Sequence, residues 1–469
     1  MATVDRAVEP GLVQGLGLVD STTLVMGSMI GSGIFIVSAD IGRQVRSPGL
    51  LILVWVLTAA LTVIAALSYG ELAAAMPHAG GQYVYLREAL GPLSGFLYGW
   101  TLFLVIQTGT IAAVAVGFAK FSGVFFPSIS AANKLVSLGR FGISTQQALG
   151  IAMLVLLSAV NVFGIRTGAM VQNVFTVAKT AALLGLVVLG FALGSNRVAV
   201  DLNFGDFWRG AGWGFGAWRA VAVAMVGALF SADAWNNVTF TAGEVKNPRR
   251  NLPLSLALGT GIVLAIYVAT NFVYLRWLPL EPGITQAAED RVATAAVSAM
   301  LGGSGERIMA LGIMVSTFGC MNGMILAGAR VYYAMARDGV FFKRVAEIHP
   351  RWRTPAVSIA VQCAWASVLV LSGTYSELLD YVIFAVMLFY ILTIAGLFVL
   401  RRTRPEMPRP YRALGYPWAP AFYMAAAAFI EVMLLLYKPG YTWPGLIIVI
   451  MGVPVYYLWR ARAAPPRRA

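Results

Sequence analysis

Cysteine and histidine are almost missing from this sequence of 469 residues, which holds Cys320 and Cys363, both inside apolar runs, and His78 and His349. A disulfide framework or thiolate metal site therefore has no support, and packed thiols are the expectation. The clusters that a zinc or haem enzyme requires are lacking as well. No metal and no cofactor is expected. No Ser-His pair or paired-carboxylate constellation is evident, so no catalytic residue is assigned and the chain is not expected to be an enzyme. Charge is scarce, at 12% of residues. The opening stretch, MATVDRAVEPGLVQGLG, has no basic region followed by a short apolar core and a small-residue cleavage site, so the first apolar segment is expected to be retained. Long polar stretches are also missing: the connections around 195–212 and 281–303 are too short to bury a core of their own.

What is present is apolar. Hydrophobic residues make up 59% of the chain and mean hydropathy is +0.76, which no water-soluble domain of this length sustains. The lipid bilayer is the expected surrounding. A net charge of +14 could suggest nucleic acid, but the basic residues form short clusters between apolar runs, the pattern of topogenic charges, and no nucleic-acid partner is expected. With about 20 apolar residues per helical crossing, the segments read 16–43, 49–76, 93–126, 144–165, 169–194, 214–242, 252–279, 303–336, 355–373, 376–400, 417–437 and 441–460. The fold class is thus an all-α membrane protein with about 12 transmembrane helices. An even number places both termini on one side. That side carries 21 of the 34 lysines and arginines, the other carries 12, and Lys179 lies inside a helix. The imbalance predicts a multi-pass protein of the cytoplasmic membrane with both termini in the cytoplasm.

Inside the first segment the sequence reads GSMIGSGIF, Gly27 to Phe35. Each glycine costs a helix interior about 1 kcal/mol. A helix that opens there leaves carbonyls on its first half and N–H groups on its second, a fit for the ammonium and carboxylate of a zwitterion. A close helix contact of the small-xxx-small kind, Gly27 to Gly31, explains the same residues. The sixth segment favours the break: GALFSADAWNN puts Asp233, Asn236 and Asn237 in mid-membrane sequence, where an acidic residue usually marks a pathway. Two interrupted helices five segments apart are the pattern of inverted five-helix repeats. The helix-break positions read from these segments are Gly27, Gly31, Gly33 and Ala232.

Three stretches together, GSMIGSGIF, LFSADAWNNVTFTAGEVKNPRRNLP and FGCMNGMILAGARVYYAMARDGVFF with the following HPRWRTP, resemble the amino acid-polyamine-organocation superfamily, and most closely its L-type amino acid transporters. The correspondence runs in order over roughly 15–400. The resemblance implies a leucine-transporter-like 5+5 inverted repeat with broken helices 1 and 6. The chain then divides into a cytoplasmic N-terminus at 1–15, repeats at 16–194 and 214–400, two accessory helices at 417–460 and a cytoplasmic C-terminus at 461–469. It also implies that Ser32 and Gly33 hold a substrate carboxylate, that the carbonyls of Met29, Phe230 and Asp233 receive its ammonium, and that Phe230 covers the substrate from outside.

In the fifth segment Gln172, Asn173, Thr176, Lys179 and Thr180 fall within about 120° of one helix face. Lys179 is either a permanent cation held by carbonyls or a desolvated group that exchanges a proton. The resemblance implies the first role, at the place sodium takes in coupled relatives, and hence sodium independence. Asp233 stands where relatives restricted to large neutral substrates usually have glycine, so acceptance of cationic substrates and a local role, capping the half-helix or pairing with Lys or Asn, both stand. Gln107, Thr108, Asn236 and Asn322, with Thr110, are candidates for a side-chain pocket, although a helix–helix hydrogen bond explains any one of them equally. Glu71 reads as a helix-end carboxylate. The resulting expectation is amino acid exchange by alternating access, neutral substrates first, with proton symport or uptake of cationic amino acids as alternatives. The loop from Ser122 to Ser144 has no cysteine where relatives that bond an accessory subunit carry one, so no covalently linked partner is expected. A channel would need a polar stripe along several helices, and a sensor would commonly carry a soluble domain.

Overall fold

A computed structural model describes residues 12–138, 141–372 and 375–463, so most of the two expected terminal segments, 1–11 and 464–469, lies outside it. Ten helices among the described residues are long and apolar enough to cross a membrane, and the shorter apolar helices Phe215–Ser231 and Ala356–Ser372 stand where the sixth and ninth crossings are expected. In chain order spans 1 to 6 are Leu18–Ile36, Pro48–Ala75, Pro92–Ser122, Thr145–Val162, Ile165–Ala192, and Phe215–Ser231 continued by Asn237–Phe240. Spans 7 to 12 are Pro248–Trp277, Gly305–Arg337, Ala356–Ser372, Tyr375–Thr403, Trp418–Tyr437 and Pro439–Ala463. Proline opens spans 2, 3 and 7, where its missing N–H and fixed φ cost nothing.

Four smaller elements are not foreseen by counting apolar residues. Gln82–Leu90, Arg197–Phe204 and Val292–Leu301 are short helices between spans, and Lys134–Leu138 pairs antiparallel with Phe141–Ser144 between spans 3 and 4. Each is shorter than a crossing, so a 20-residue apolar window passes over it. Span 3 is also not a regular helix throughout: Leu102–Ile106 is π-helical. The carbonyls loosened there are taken up by Trp365 Nε1, 3.0 Å from Leu104 O, and by Thr108 Oγ1, 2.6 Å from Phe103 O.

Aromatic contacts tie the spans around the two broken helices. Trp55 of span 2 meets Tyr267 of span 7 edge-on at 5.7 Å, and Tyr69 of span 2 meets Trp235 at 4.8 Å and Tyr390 of span 10 at 5.7 Å. All four of Trp55, Trp235, Tyr69 and Tyr267 are at most 2% exposed. Large rigid rings thus hold the sixth helix's break against spans 2 and 10.

Candidate functional site

The GSMIGSGIF segment opens into an interrupted helix. Its first half ends at Met29, residues 30–32 leave the helix, and a second half runs Gly33–Ile36. Span 6 does the same: its first half is capped at Ala232, Ala234 takes a left-handed φ of 63°, and the helix resumes at Asn237. That conformation is costly for a residue with a Cβ and persists only where the surroundings hold it.

None of the three glycines in the motif adopts a positive φ. Gly33 and Gly27 are needed for what they lack. A Cβ on Gly33 would stand 2.9 Å from Ser231 Cβ, so glycine lets the two broken helices touch. Gly27 corrects the expectation for it: it lies within the first half-helix, and its Cβ would collide with Gln172 and Thr176 of span 5. Its role is close packing against that span, and the helix opens beyond it, at Ile30 and Gly31.

The carbonyls left bare at the end of the first half are met one by one. Lys179 Nζ donates to Gly27 O at 2.5 Å and Ile30 O at 2.7 Å. Cys320 Sγ lies 3.1 Å from Ser28 O, and Tyr267 Oη donates to Met29 O at 3.1 Å. Ser316 Oγ reaches both Ile30 O and Gly31 O at 3.1 Å. The rest of span 5's polar face continues along the same half-helix, with Asn173 Nδ2 on Asp20 Oδ1 at 2.7 Å and Thr176 Oγ1 on Thr23 O at 3.2 Å. Thr180 Oγ1 finds no partner among the described residues. Tyr267 takes one lone pair of the Met29 oxygen, which can still accept on the other.

Two small cavities lie between the breaks and meet at Thr110, Asp233 and Ala234. One is bordered by Met29, Ser32, Gly33, Phe230 and Cys320. The other is bordered by Gln82, Tyr98, Gln107, Asn236, Asn237 and Met324, closed by Tyr390 and Val386 of span 10. Asp233 faces both, and its Oδ1 accepts from Tyr390 Oη at 2.6 Å, a partner on span 10 and neither a Lys nor an Asn. The Phe230 carbonyl accepts from Asp233 N at 3.2 Å.

Of the candidates for a side-chain pocket, Gln107 and Asn236 border this space and Thr108 and Asn322 do not. The π-helical turn points the Thr108 hydroxyl back to its own helix. Asn322 is used between helices, donating to Gly168 O at 3.0 Å and Gln172 Oε1 at 3.1 Å and accepting from Asn161. A polar residue in an apolar helix carries no mark of which side its neighbours stand on. Tyr267, Ser316, Cys320, Tyr390, Gln82 and Tyr98, all at the site, escape a reading based on motif and mid-span charge. Only tyrosine hydroxyls and small polar groups in spans 7, 8 and 10 could have signalled some of them.

At the face where span 1 begins, buried ion pairs close the molecule. Arg330 of span 8 makes a two-point pair with Glu244 just after span 6, at 2.7 and 3.2 Å, with both side chains at most 1% exposed. Glu244 O accepts from Gly15 N and Leu16 N, at 2.9 and 3.0 Å, so the segment before span 1 is pinned there too. Glu71 is more than a helix-end carboxylate: it is 1% exposed, binds Arg401 at 2.9 and 2.6 Å and Arg409 at 3.3 Å, and accepts from Ala413 N at 2.7 Å. Outside the spans, burial pushes the Glu88 carboxyl up, but Arg404 and Arg87 outweigh it and hold the group below the usual carboxylate range.

Residues 16–456 match the amino acid permease family model. Among curated proteins, the chain is 30% identical over 458 residues to the serine/threonine exchanger SteT of Bacillus subtilis, covering 97% of this chain and 98% of that one. It is 30% identical to the Asc-type amino acid transporter 1 of Mus musculus over 96% of this chain and 82% of that one. With the b(0,+)-type amino acid transporter 1 of Homo sapiens it shares 28% identity over 96% of this chain and 88% of that one.

Proposed function

The chain belongs to the amino acid permease family, and on that premise we propose that it carries L-amino acids across the cell membrane by alternating access, exchanging one for another without covalent chemistry. The observation that carries this reading is the cavity between two broken helices, with Ser32 and Gly33 on one side and Phe230 and Asp233 on the other. The second half of span 1 starts at Gly33, so its free N–H groups suit a carboxylate; the carbonyls of Met29, Phe230 and Asp233 suit an ammonium. Phe230 is the gate on the outer side. Spans 1–5, at 16–194, and spans 6–10, at 214–400, form the two inverted repeats, with 417–460 as accessory helices. Rocking of spans 1, 2, 6 and 7 against 3, 4, 8 and 9 opens the site to each side in turn.

Lys179 occupies the end of the first half-helix as a fixed cation, and transport is sodium independent. Both termini face the cytoplasm, in keeping with the surplus of Lys and Arg on that side. No accessory subunit is disulfide-linked, since the stretch from Ser122 to Ser144 contains no cysteine.

Two further readings have observations of their own. Lys179 is 1% exposed and donates to the carbonyl oxygens of Gly27, Ile30 and Ser316, which favours proton-coupled symport if that ammonium gives up a proton. Asp233 brings a carboxylate to the cavity, which favours uptake of cationic amino acids. The deciding experiment is radiolabelled uptake into proteoliposomes over neutral, dibasic and acidic amino acids, with and without internal substrate and a pH gradient. Uptake that requires internal amino acid is expected; uptake into empty vesicles that responds only to pH overturns exchange.

A further inference from the structure

We propose that the connection from span 10 to span 11 is a docking surface for anionic phospholipid, with Arg402 and Arg412 taking the headgroup phosphate and Leu414 and Trp418 entering the apolar layer beneath it. None of these four residues borders either cavity between the broken helices.

The connection is folded tightly on itself. Arg409 reaches back to the end of span 10, donating to Leu400 O at 3.0 Å and Arg404 O at 2.9 Å. The guanidinium carbon of Arg401 lies 3.6 Å from the centre of the Tyr416 ring. Arg401 Nη2 and Ala413 N meet on one oxygen of Glu71, Oε2, at 2.6 and 2.7 Å. Three arginines here already have carboxylates: Arg401 and Arg409 have Glu71, and Arg404 has Glu88. Arg402 and Arg412 are the chain neighbours of Arg401 and Ala413, so the shared Glu71 oxygen holds them on either side of one clasp. Both are exposed and make no ion pair among the described residues.

The apolar part follows directly in the chain. On span 11 the exposed residues Trp418, Phe422, Phe429, Val432 and Leu436 recur at helical spacing and form one stripe, the face turned to lipid. Trp418, 81% exposed, is the first of them, and Leu414, 66% exposed, stands four residues before it. Tryptophan at the end of a lipid-facing helix belongs at the headgroup level, where its ring meets hydrocarbon and its N–H meets water. Arginines without a protein countercharge beside it are drawn to anionic headgroups, and the guanidinium fork matches phosphate oxygens. Because the same connection clasps Glu71 near the end of span 2, a lipid that holds the connection steadies that end of span 2 as well.

Full-length protein, freed of lipid in a mild detergent, is titrated with phosphatidylglycerol and with phosphatidylcholine. Bound lipid is counted by native mass spectrometry and the unfolding midpoint is followed. Phosphatidylglycerol is expected to bind more tightly and to raise the midpoint. Arg402→Gln combined with Arg412→Gln is expected to weaken phosphatidylglycerol by about tenfold or more, since each arginine near an anionic surface contributes about a fivefold change, and to abolish the rise. Trp418→Ser keeps both cations and is expected to weaken phosphatidylglycerol as well. Equal binding of the two lipids overturns the proposal, as does phosphatidylglycerol binding unchanged in either variant. Glycerol 3-phosphate separates a lipid surface from a free-phosphate site, and the same rise from it alone overturns the lipid reading. If a variant fails to fold, the comparison of the two lipids on the unsubstituted protein still decides.

Discussion

The ammonium of Lys179 stands 2.7 Å from the carbonyl oxygen of Ile30, the first residue beyond the helical part of GSMIGSGIF. A cation carried on span 5 thus closes the carbonyl end that the break in span 1 exposes, with Ser316 and Tyr267 arriving from spans 8 and 7. Three spans, 5, 7 and 8, converge on five consecutive carbonyls of span 1, Gly27 to Gly31.

Replacing Lys179 by methionine keeps the side-chain length and removes the charge. The Gly27 oxygen then loses the Lys179 ammonium, and each buried group left unmet costs about 1–3 kcal/mol. The expected outcome is loss of exchange in proteoliposomes together with a lower unfolding midpoint in detergent. Exchange by the unsubstituted protein is expected to be equal in sodium and choline buffers.

Gly33→Ala drives a methyl group into Ser231, 2.9 Å from its Cβ, and so forces the two broken helices apart. Exchange is expected to fall by about tenfold or more, by analogy with the 1–3 kcal/mol of an overpacked core. Adding Ser231→Gly makes room, and partial recovery in the double variant is the measurement that ties the loss to this contact.

Arg330→Met leaves the carboxylate of Glu244 buried without its countercharge. Such a break costs about 3–5 kcal/mol, and replacing both partners by apolar residues recovers much of it. Unfolding midpoints of Arg330→Met, Glu244→Met and the double variant are expected to follow that order, with the double variant the most stable of the three.

Asp233→Gly removes the one carboxylate that borders both cavities, together with the acceptor of the Tyr390 hydroxyl. Entry of lysine and arginine, measured against alanine in the same vesicles, is expected to drop by about tenfold, the worth of one charge-assisted pair. Handling of dibasic amino acids that does not change removes the cationic reading.

The number of spans, the positions of both breaks and the presence of Asp233 at the second were legible because each rests on a local signal. A run of about 20 apolar residues, a glycine cluster or a mid-span carboxylate is visible in a window no longer than the helix itself. The polar face of span 5 was legible for the same reason, since helical periodicity places Gln172, Asn173, Thr176 and Lys179 together without any partner. What those residues touch was not. Gly27 marks a packing contact with span 5 and not the opening, and Asn322 turns to spans 4 and 5 instead of the cavity.

By itself, then, the sequence determined a many-helix membrane protein with two interrupted helices, because hydrophobic length and glycine placement act within one segment. Only the tertiary structure decided which carbonyls Lys179, Cys320, Tyr267 and Ser316 would cap. Those choices depend on groups 137 to 292 positions apart in the chain brought within hydrogen-bond distance, and in a bilayer interior, where unmet polar groups are expensive, such long-range pairings settle what each polar side chain is for.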